Sequence, residues 1–310
     1  MCKLSVIMST YREPEQYVRL AVDSILNQTF TDFEFIIVID DPNNAAMEAL
    51  LNEYHLSDPR VAVLKNEKNL GLVGALNRAL SVAHGTYVAR MDSDDIATPD
   101  RFEKEFHYLQ EHRLDIVGSL VHRMDENNVL LPGLDSRHYS PQVVMDSLMV
   151  AACVPHPSWL LKREVYDALG GYREMPRCED YDFLLRALKA GYRIGLCDDF
   201  LLNYRISTGG ISQTGLLRQH LAAKYLSRNY KRLEQVDESE ICQNVFDRLS
   251  DGAARRYRKA DALFLKARRF GKKRPIQCLA CLIASLCISK HQRSRFRDML
   301  KLRKIRKQDA

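Results

Sequence analysis

At 310 residues, 46% hydrophobic and 28% charged, the chain is ordinary globular material, enough for one large domain with an appendage or two modest domains. No low-complexity tract or internal repeat interrupts it, which leaves out fibrous and repeat architectures. Its net charge of +6 hides an asymmetry: residues 251–310 hold 19 Lys and Arg against 4 Asp and Glu, or +15, and the remaining 27 against 36 give −9. A mildly acidic body with a strongly basic tail points to an anionic partner, a lipid surface or nucleic acid.

In chain order, "KLSVIMST" is a short apolar run that stops at polar residues. "EPEQYVRLAVDSILNQTF" follows with Tyr17, Leu20, Ala21, Ser24 and Ile25 at helical spacing. "FEFIIVID" reads as a buried strand ending at Asp40-Asp41, "AAMEALLNEY" as a helix, "RVAVLKN" as a strand and "LVGALNRALSVA" as a helix. "GTYVARMD" is the next strand. Strand and helix alternating in steps of about 30 residues predict a doubly wound, mostly parallel α/β sheet, in which ligands bind at the carboxyl ends of the strands. Three such ends carry polar groups: Thr10-Tyr11, Asp40-Asp41, and Asp92 to Asp95.

Beyond them, "PDRFEKEFHYLQEH" predicts an amphipathic helix that Pro99 initiates. "DIVGSLVHRMD" and "VLLPG" predict strands in a more irregular second half. "HPSWLLKREVYDALGGY" leads into a helix closed by Gly170-Gly171, and "CEDYDFLLRALKAGY" is a helix that starts on acidic residues and stops at Gly191. "RIGLCDDFLLNYRIS" supplies further strand. Residues 216–310 are helical in pattern, and the domain boundary is placed near 212–216, giving an α/β domain over 1–212 and a basic, mainly helical region over 213–310.

Three features can carry chemistry. The D-x-D-D of Asp92, Asp94 and Asp95 offers hard oxygen ligands to Mg²⁺ or Mn²⁺, although an acidic turn before a helix start has the same composition. Two acidic clusters, Asp40-Asp41 and Asp92 to Asp95, converging on one crevice would repel unless a cation or a hydrogen-bonding ligand separated them. Asn69 and Gly71 make a tight turn into a helix that can present Arg78 to a diphosphate, or simply to solvent. Glu179, Asp180 and Asp182 open an apolar helix, where a carboxylate in a partly dry crevice would serve as a base and a merely dipole-complementing one would not. No P-loop and no G-x-G-x-x-G is present, against a standard NTPase or dinucleotide enzyme. A nucleotidyltransferase would need a Gly-rich basic N-terminal loop that "MSTYREPEQ" lacks. The other competing reading is a non-catalytic nucleotide-sugar or glycan-binding module.

Together "SVIMSTYREPEQYVRLAVDSILNQTFTDFEFIIVIDD", "NLGLVGALNRAL", "GTYVARMDSDDIATPDRFE", "HPSWLLKREVYDALGGY", "CEDYDFLLRALKAG" and "NYRISTGGIS" resemble family 2 glycosyltransferases, which have the GT-A fold, over about residues 3–212. The resemblance implies that Thr10, Tyr11 and Asp40 grip the uracil and ribose of a UDP-sugar, with Arg78 near the base or diphosphate. It makes Asp92 and Asp94 the D-x-D, Asp94 the direct ligand of Mn²⁺ or Mg²⁺, and Asp95 the supporting aspartate. It places Asp180, beside Glu179, on the catalytic base, and His156 and Arg205 along the diphosphate and acceptor region. The implied chemistry is an inverting transfer of a hexose, glucose or galactose. The sequence departs from the family pattern at Arg12, where Asn is usual, at Pro42-Asn43 in place of Gly-Ser, and at Ser207 in place of His. No Q-x-x-R-W motif surrounds the single Trp159, so one sugar per acceptor is expected.

The opening "MCKLSVIMST" has no long apolar region or cleavage site, and the eight scattered cysteines read as free cytosolic thiols. Cys278 and Cys281 form a lone C-x-x-C without a second pair to complete a zinc set. "PIQCLACLIASLCIS", residues 275–289, is shorter than the roughly 20 residues that a membrane span needs. A basic helical tail around it suits an anionic cytoplasmic leaflet, and packing on the catalytic domain is the alternative. Membrane contact would fit a polyprenyl-diphosphate-linked saccharide acceptor in O-antigen, capsule or exopolysaccharide synthesis. Without interleaved aromatics or a known motif, the tail is not expected to bind nucleic acid.

Overall fold

The computed structural model describes residues 2–132, 138–206 and 215–308. Its first half is the expected alternation: β1 (Leu4–Thr10), α1 (Glu15–Leu26), β2 (Phe33–Ile39), α2 (Ala45–Ser57), β3 (Val61–Lys65), α3 (Gly71–Val82) and β4 (Tyr87–Asp92). These strands lie parallel in the order β3-β2-β1-β4. After β5 (Ile96–Ala97) and α4 (Arg101–Glu111) come β6 (Ile116–Met124), α5 (Pro141–Leu148), β7 (Leu160–Lys162), α6 (Arg163–Leu169), α7 (Glu179–Lys189) and β8 (Ile194–Arg205). β7 runs antiparallel to both β4 and β6, and β6 pairs parallel with β8, so one mixed sheet of order β3-β2-β1-β4-β7-β6-β8-β5 results. Residues 129–132, the described part of "VLLPG", form no strand: they contribute a single bridge, Met124 to Leu130, because Asp125 turns the chain back by accepting from the amides of Asn127 and Val129 at 2.9 Å.

Strand alternation gives the sheet two dry faces. Ile7, Ile36, Val38 and Val88 point to the side covered by α3, α6, α7 and the helix that follows β8. Val6, Met8, Ile37, Ala89 and Met91 point to the side covered by α1, α2 and α4. On α1 the buried stripe is Val18, Ala21, Val22 and Ile25, a full i, i+3, i+4, i+7 set, and not the face centred on Leu20, which lies on the surface. Tyr17 is thereby freed for the site described below. Behind β4, the wholly buried Arg101 pairs with Glu105 at 3.1 Å and donates to the carbonyl of Arg90 at 2.9 Å. This stitches α4 to the strand that ends in the acidic motif. As expected, Gly170 caps α6 in the left-handed region, at φ 69°.

The boundary expected near 212–216 and the end of "NYRISTGGIS" fall on residues 207–214, outside the described residues except at 215–216. From there the chain is helical: α8 (Leu216–Arg228), α9 (Glu238–Ile241), α10 (Asp251–Phe270), α11 (Pro275–Ile288) and α12 (Lys290–Ile305). α8 packs on α7, and Lys224 of α8 holds Asp298 of α12 at 2.7 Å, tying the last helices to the body. Among the described residues no helix is long and apolar enough to cross a membrane.

Candidate active site

Because β2, β1 and β4 are parallel neighbours, their carboxyl ends meet at one edge. Thr10 lies opposite Ile39, and Ser9 opposite Asp92. The polar residues expected at those ends therefore face one crevice.

Asp40 is buried just past β2. Its carboxylate accepts from Asn66 Nδ2 at 2.6 Å and from the amide of Leu70 at 2.8 Å, where Asn69 and Gly71 (φ 72°) turn into α3. Arg78 donates to the Lys65 carbonyl at 2.7 Å and to Asn66 Oδ1, so it reaches Asp40 through one intervening amide. The Thr10 hydroxyl and the Tyr11 amide both donate to Glu13, at 2.8 and 2.7 Å. Arg12, the departure from the family pattern, lies over the Tyr11 ring and pairs with Asp41 at 2.9 Å. That contact holds the Asp41 carboxyl below its ordinary value.

At the end of β4, carboxylate oxygens of Asp92, Asp94 and Asp95 lie within 4.8 Å of one another. Asp95 is wholly buried. One of its oxygens accepts from the Arg205 amide at 2.8 Å, and the other has no partner among the described residues. Arg205 also donates to the Asp94 carbonyl at 2.7 Å and to that of Asp125 at 3.1 Å, with its guanidinium 3.8 Å from the centre of the Tyr17 ring. The Tyr17 hydroxyl completes the clamp on the Glu126 carbonyl at 2.9 Å. Burial, then Asp92, then Glu13 push the Asp94 carboxyl up to about 7. Burial and its two aspartate neighbours push Asp95 well up. Crowded, partly dehydrated carboxylates with an unsatisfied oxygen are a hard donor set short of positive charge, which fits Mg²⁺ or Mn²⁺.

Asp180 lies in the first turn of α7, where its carboxylate accepts from the Tyr181 amide at 2.7 Å. Burial raises its pKa against the pull of that amide and of Arg90. Burial, then Asp180, raises neighbouring Glu179 to about 7. Asp182, the third acid of the motif, turns away: it is wholly buried between Arg186, at 2.8 Å, and Arg173, and is a packing residue. His156 is buried too. Its Nε2 meets the Tyr172 hydroxyl at 2.8 Å and its ring stands edge-on to Trp159, while burial and Arg90 keep the imidazole well below its usual pKa, hence neutral. Tyr172 is fixed from behind by Asn77, which exchanges two 2.9 Å hydrogen bonds with its backbone.

The residue that joins these groups escapes motif reading. Arg90 is buried at 2% exposure; one guanidinium nitrogen binds Asp92, and its Nε and other terminal nitrogen have no partner among the described residues. Its charge acts on Asp92, Asp94, Asp95, Glu179 and Asp180 alike. It is the positive group between the D-x-D and the Glu179-Asp180 pair, whereas the convergence expected of Asp40-Asp41 on Asp92 to Asp95 is relieved separately, by Asn66 and the Leu70 amide on Asp40 and by Arg12 on Asp41. A signal existed, since in a strand residue 90 shares a face with residue 92. Asn66, at the end of β3, could be found by the same edge argument; Glu13 and Tyr17 left no trace in the sequence.

Residues 5–170 match the family described as glycosyl transferase family 2. The chain belongs to that family. An uncharacterized glycosyltransferase of Methanocaldococcus jannaschii is 35% identical over 78% of this chain and 83% of its own length. The O-antigen biosynthesis glycosyltransferase WbnJ of Escherichia coli is 31% identical over 77% and 93%. The amylovoran biosynthesis glycosyltransferase AmsE of Erwinia amylovora is 28% identical over 67% and 78%. Among solved structures, S. aureus TarS in complex with UDP superposes with a TM-score of 0.57 over 91% of this chain and 88% of that one, at 19% identity. The complex of TarS with UDP-GlcNAc gives 0.56. This family 2 glycosyltransferase thus has the GT-A fold, with a helical C-terminal region.

Proposed function

We propose that the protein is an inverting, non-processive hexosyltransferase. In this reading it moves glucose or galactose from a UDP-sugar to a hydroxyl of a polyprenyl-diphosphate-linked saccharide in O-antigen, capsule or exopolysaccharide synthesis. The observation that carries the reading is the crevice in which one buried cation, Arg90, faces both the D-x-D and Asp180. WbnJ and AmsE, named for O-antigen and amylovoran biosynthesis, support the pathway class, and the UDP and UDP-GlcNAc complexes of TarS support a nucleotide-sugar donor. Residues 1–212 carry the transferase, and residues 213–310 hold it peripherally on the inner face of the plasma membrane.

Asp40, braced by Asn66 and the start of α3, receives the uracil and ribose together with Thr10 and Tyr11, and Arg78 flanks the base or diphosphate. Asp94 and Asp92 would hold Mn²⁺ or Mg²⁺, with Asp95 and Arg205 fixing the loop beneath. When bound, the cation offsets the charge that develops on the leaving UDP. Asp180 takes the acceptor's hydroxyl proton while the acceptor oxygen attacks the anomeric carbon from the face opposite UDP, so the configuration inverts. A carboxylate lifted by burial is a stronger base than one in water, and Arg90 opposes that rise and so favours its ionised form. His156 and Arg205 line the diphosphate and acceptor region, and Glu179, beside Asp180, contacts the nucleotide-sugar. Mass spectrometry of products from a panel of UDP-, GDP- and dTDP-sugars, with Mn²⁺ and a GlcNAc- or GalNAc-diphosphate-lipid acceptor, tests the assignment. Turnover of no donor would leave a binding module, and full activity of Asp180→Asn would remove the proposed base.

A further inference from the structure

α11 has two unlike sides. Ser285 is fully buried and donates to the carbonyl of Ala260 on α10 at 2.7 Å, so that side faces the helical bundle. On the opposite side Ile276, Leu279 and Ile283 are 80%, 57% and 53% exposed, and Ala280 and Cys287 are exposed with them. At 3.6 residues per turn these five positions fall within an arc of about 100°, in a ridge about 16 Å long that no polar side chain interrupts. Packing on α10 therefore covers only one face of the helix. The ridge is a contiguous apolar surface held open to solvent, the kind that marks a contact.

Charge selects the partner. From residue 262 to residue 297 the chain has ten Lys and Arg and no Asp or Glu. Lys273 and Arg274 precede the ridge and Lys290 and Arg293 follow it, all exposed. A second copy of the chain would bring the same cations against these, with no carboxylate in the segment to receive them. A nucleic acid would match the cations but not three exposed aliphatic side chains. An anionic bilayer matches both, taking the ridge into the boundary between headgroups and acyl chains and the cations among the phosphates. The helix cannot cross, so it lies in the plane of the surface.

We propose that the outward ridge of α11 seats the protein on an anionic phospholipid membrane, with Ile276, Leu279 and Ile283 entering the interface and Lys273, Arg274 and Lys290 at the headgroups. The proposal gives a specific surface to the membrane setting of the proposed function and draws nothing from the sugar site. α12, bound to α8 through Lys224–Asp298 and stacked on Tyr139 through Arg306 at 4.9 Å, makes the seat continuous with the catalytic body.

Flotation of the full chain with phosphatidylcholine vesicles, with and without phosphatidylglycerol, tests it. The wild type is expected to float with the anionic vesicles only. Ile276→Asp/Leu279→Asp/Ile283→Asp, all at exposed positions, should weaken that partitioning at least tenfold with an unchanged circular dichroism spectrum. Lys273→Ala/Arg274→Ala/Lys290→Ala should weaken it by about fivefold per charge. Failure of the wild type to float, or equal flotation of the ridge variant, would overturn the proposal. So would a wild-type dimer that the ridge substitutions convert to monomer, since the ridge would then be a contact between copies. Hydrolysis of the donor sugar in the same preparations separates the two readings: flotation without turnover of any donor removes the enzyme assignment alone, and turnover without flotation removes the membrane seat alone.

Discussion

Replacing Arg90 by Met keeps the bulk of the side chain and deletes its charge. Two consequences follow from its position. Asp92 loses a charged hydrogen-bond partner that is itself buried, a change worth about 1.5–3 kcal/mol when such a bond is broken. If that loss falls on the transition state, kcat drops about 10- to 150-fold at about 1.4 kcal/mol per decade. Asp180 loses the cation that opposes its burial. Its pKa is already raised, so transfer is present above that pKa and lost as pH falls through it; without Arg90 the acidic limb of the kcat–pH profile must move to higher pH. Tyr172, Cys178 and Glu179 beside it and Asp92 across the crevice supply no compensating positive charge. Arg90→Lys, which keeps charge but not the guanidinium fork, should return the limb towards its wild-type position while recovering only part of kcat. The assay is steady-state transfer from the donor identified by the product screen, measured from acid to neutral pH beside thermal melts of the same samples. An Arg90→Met variant with a lower melting temperature but an unmoved limb and unchanged kcat would show that the residue only supports the fold.

Three further outcomes are expected. Asp94→Asn should stabilise the metal-free protein by about 1–3 kcal/mol near neutral pH while abolishing Mn²⁺ binding, because a carboxyl raised to about 7 penalises the fold progressively from its unfolded value up to that pH; denaturant melts should show almost no gain near pH 3.5, a partial gain at pH 5 and the full gain at pH 8. In the wild type, calorimetric Mn²⁺ affinity should be about tenfold weaker at pH 6 than at pH 8, since the Asp94 proton must leave first. Gly171→Ala, at φ 75° with its new methyl 2.6 Å from Asn77 Oδ1, should cost about 1–2 kcal/mol in a urea melt and loosen Tyr172 behind His156.

The first half of the fold was legible because each element buries one face and keeps its own period, and the strand ends carry their polar residues in sequence. Asp40 and Asp92 could thus be placed at the carboxyl ends of parallel strands, whereas the order β2-β1-β4 that brings them to a common edge comes from the fold. The second half was less so. Three-residue β7 sits inside a segment that reads as a lead-in to α6, and its antiparallel pairing has no local signature. The Asp125 turn consumes residues 129–132 of "VLLPG", a run with strand composition that among the described residues pairs only at Leu130. The carboxylates of the site stand out in sequence as clustered charge. Their counterion does not, because a single arginine in a strand looks like any surface residue until its burial is known. Asp182 shows the converse: three acids at a helix start look alike, and only packing separates the one that a pair of arginines neutralises.

The narrowness of β7 has a use in engineering. In strand pairing, the parallel strands that bear Asp40 and Asp92 meet the β6–β8 half of the sheet through those three residues; beyond them β5 pairs with β8 and Arg205 of β8 clamps Asp94 and Asp95, and Arg113 lies in the exposed turn after α4. A chimaera crossed over in that turn would inherit the donor crevice from one parent and the base and acceptor wall from the other. Donor and acceptor choice could then be recombined in this scaffold, provided that two pairs are kept matched across the crossover: Arg90 with the Asp180 it faces, and Arg205 with the Asp94-Asp95 loop it clamps.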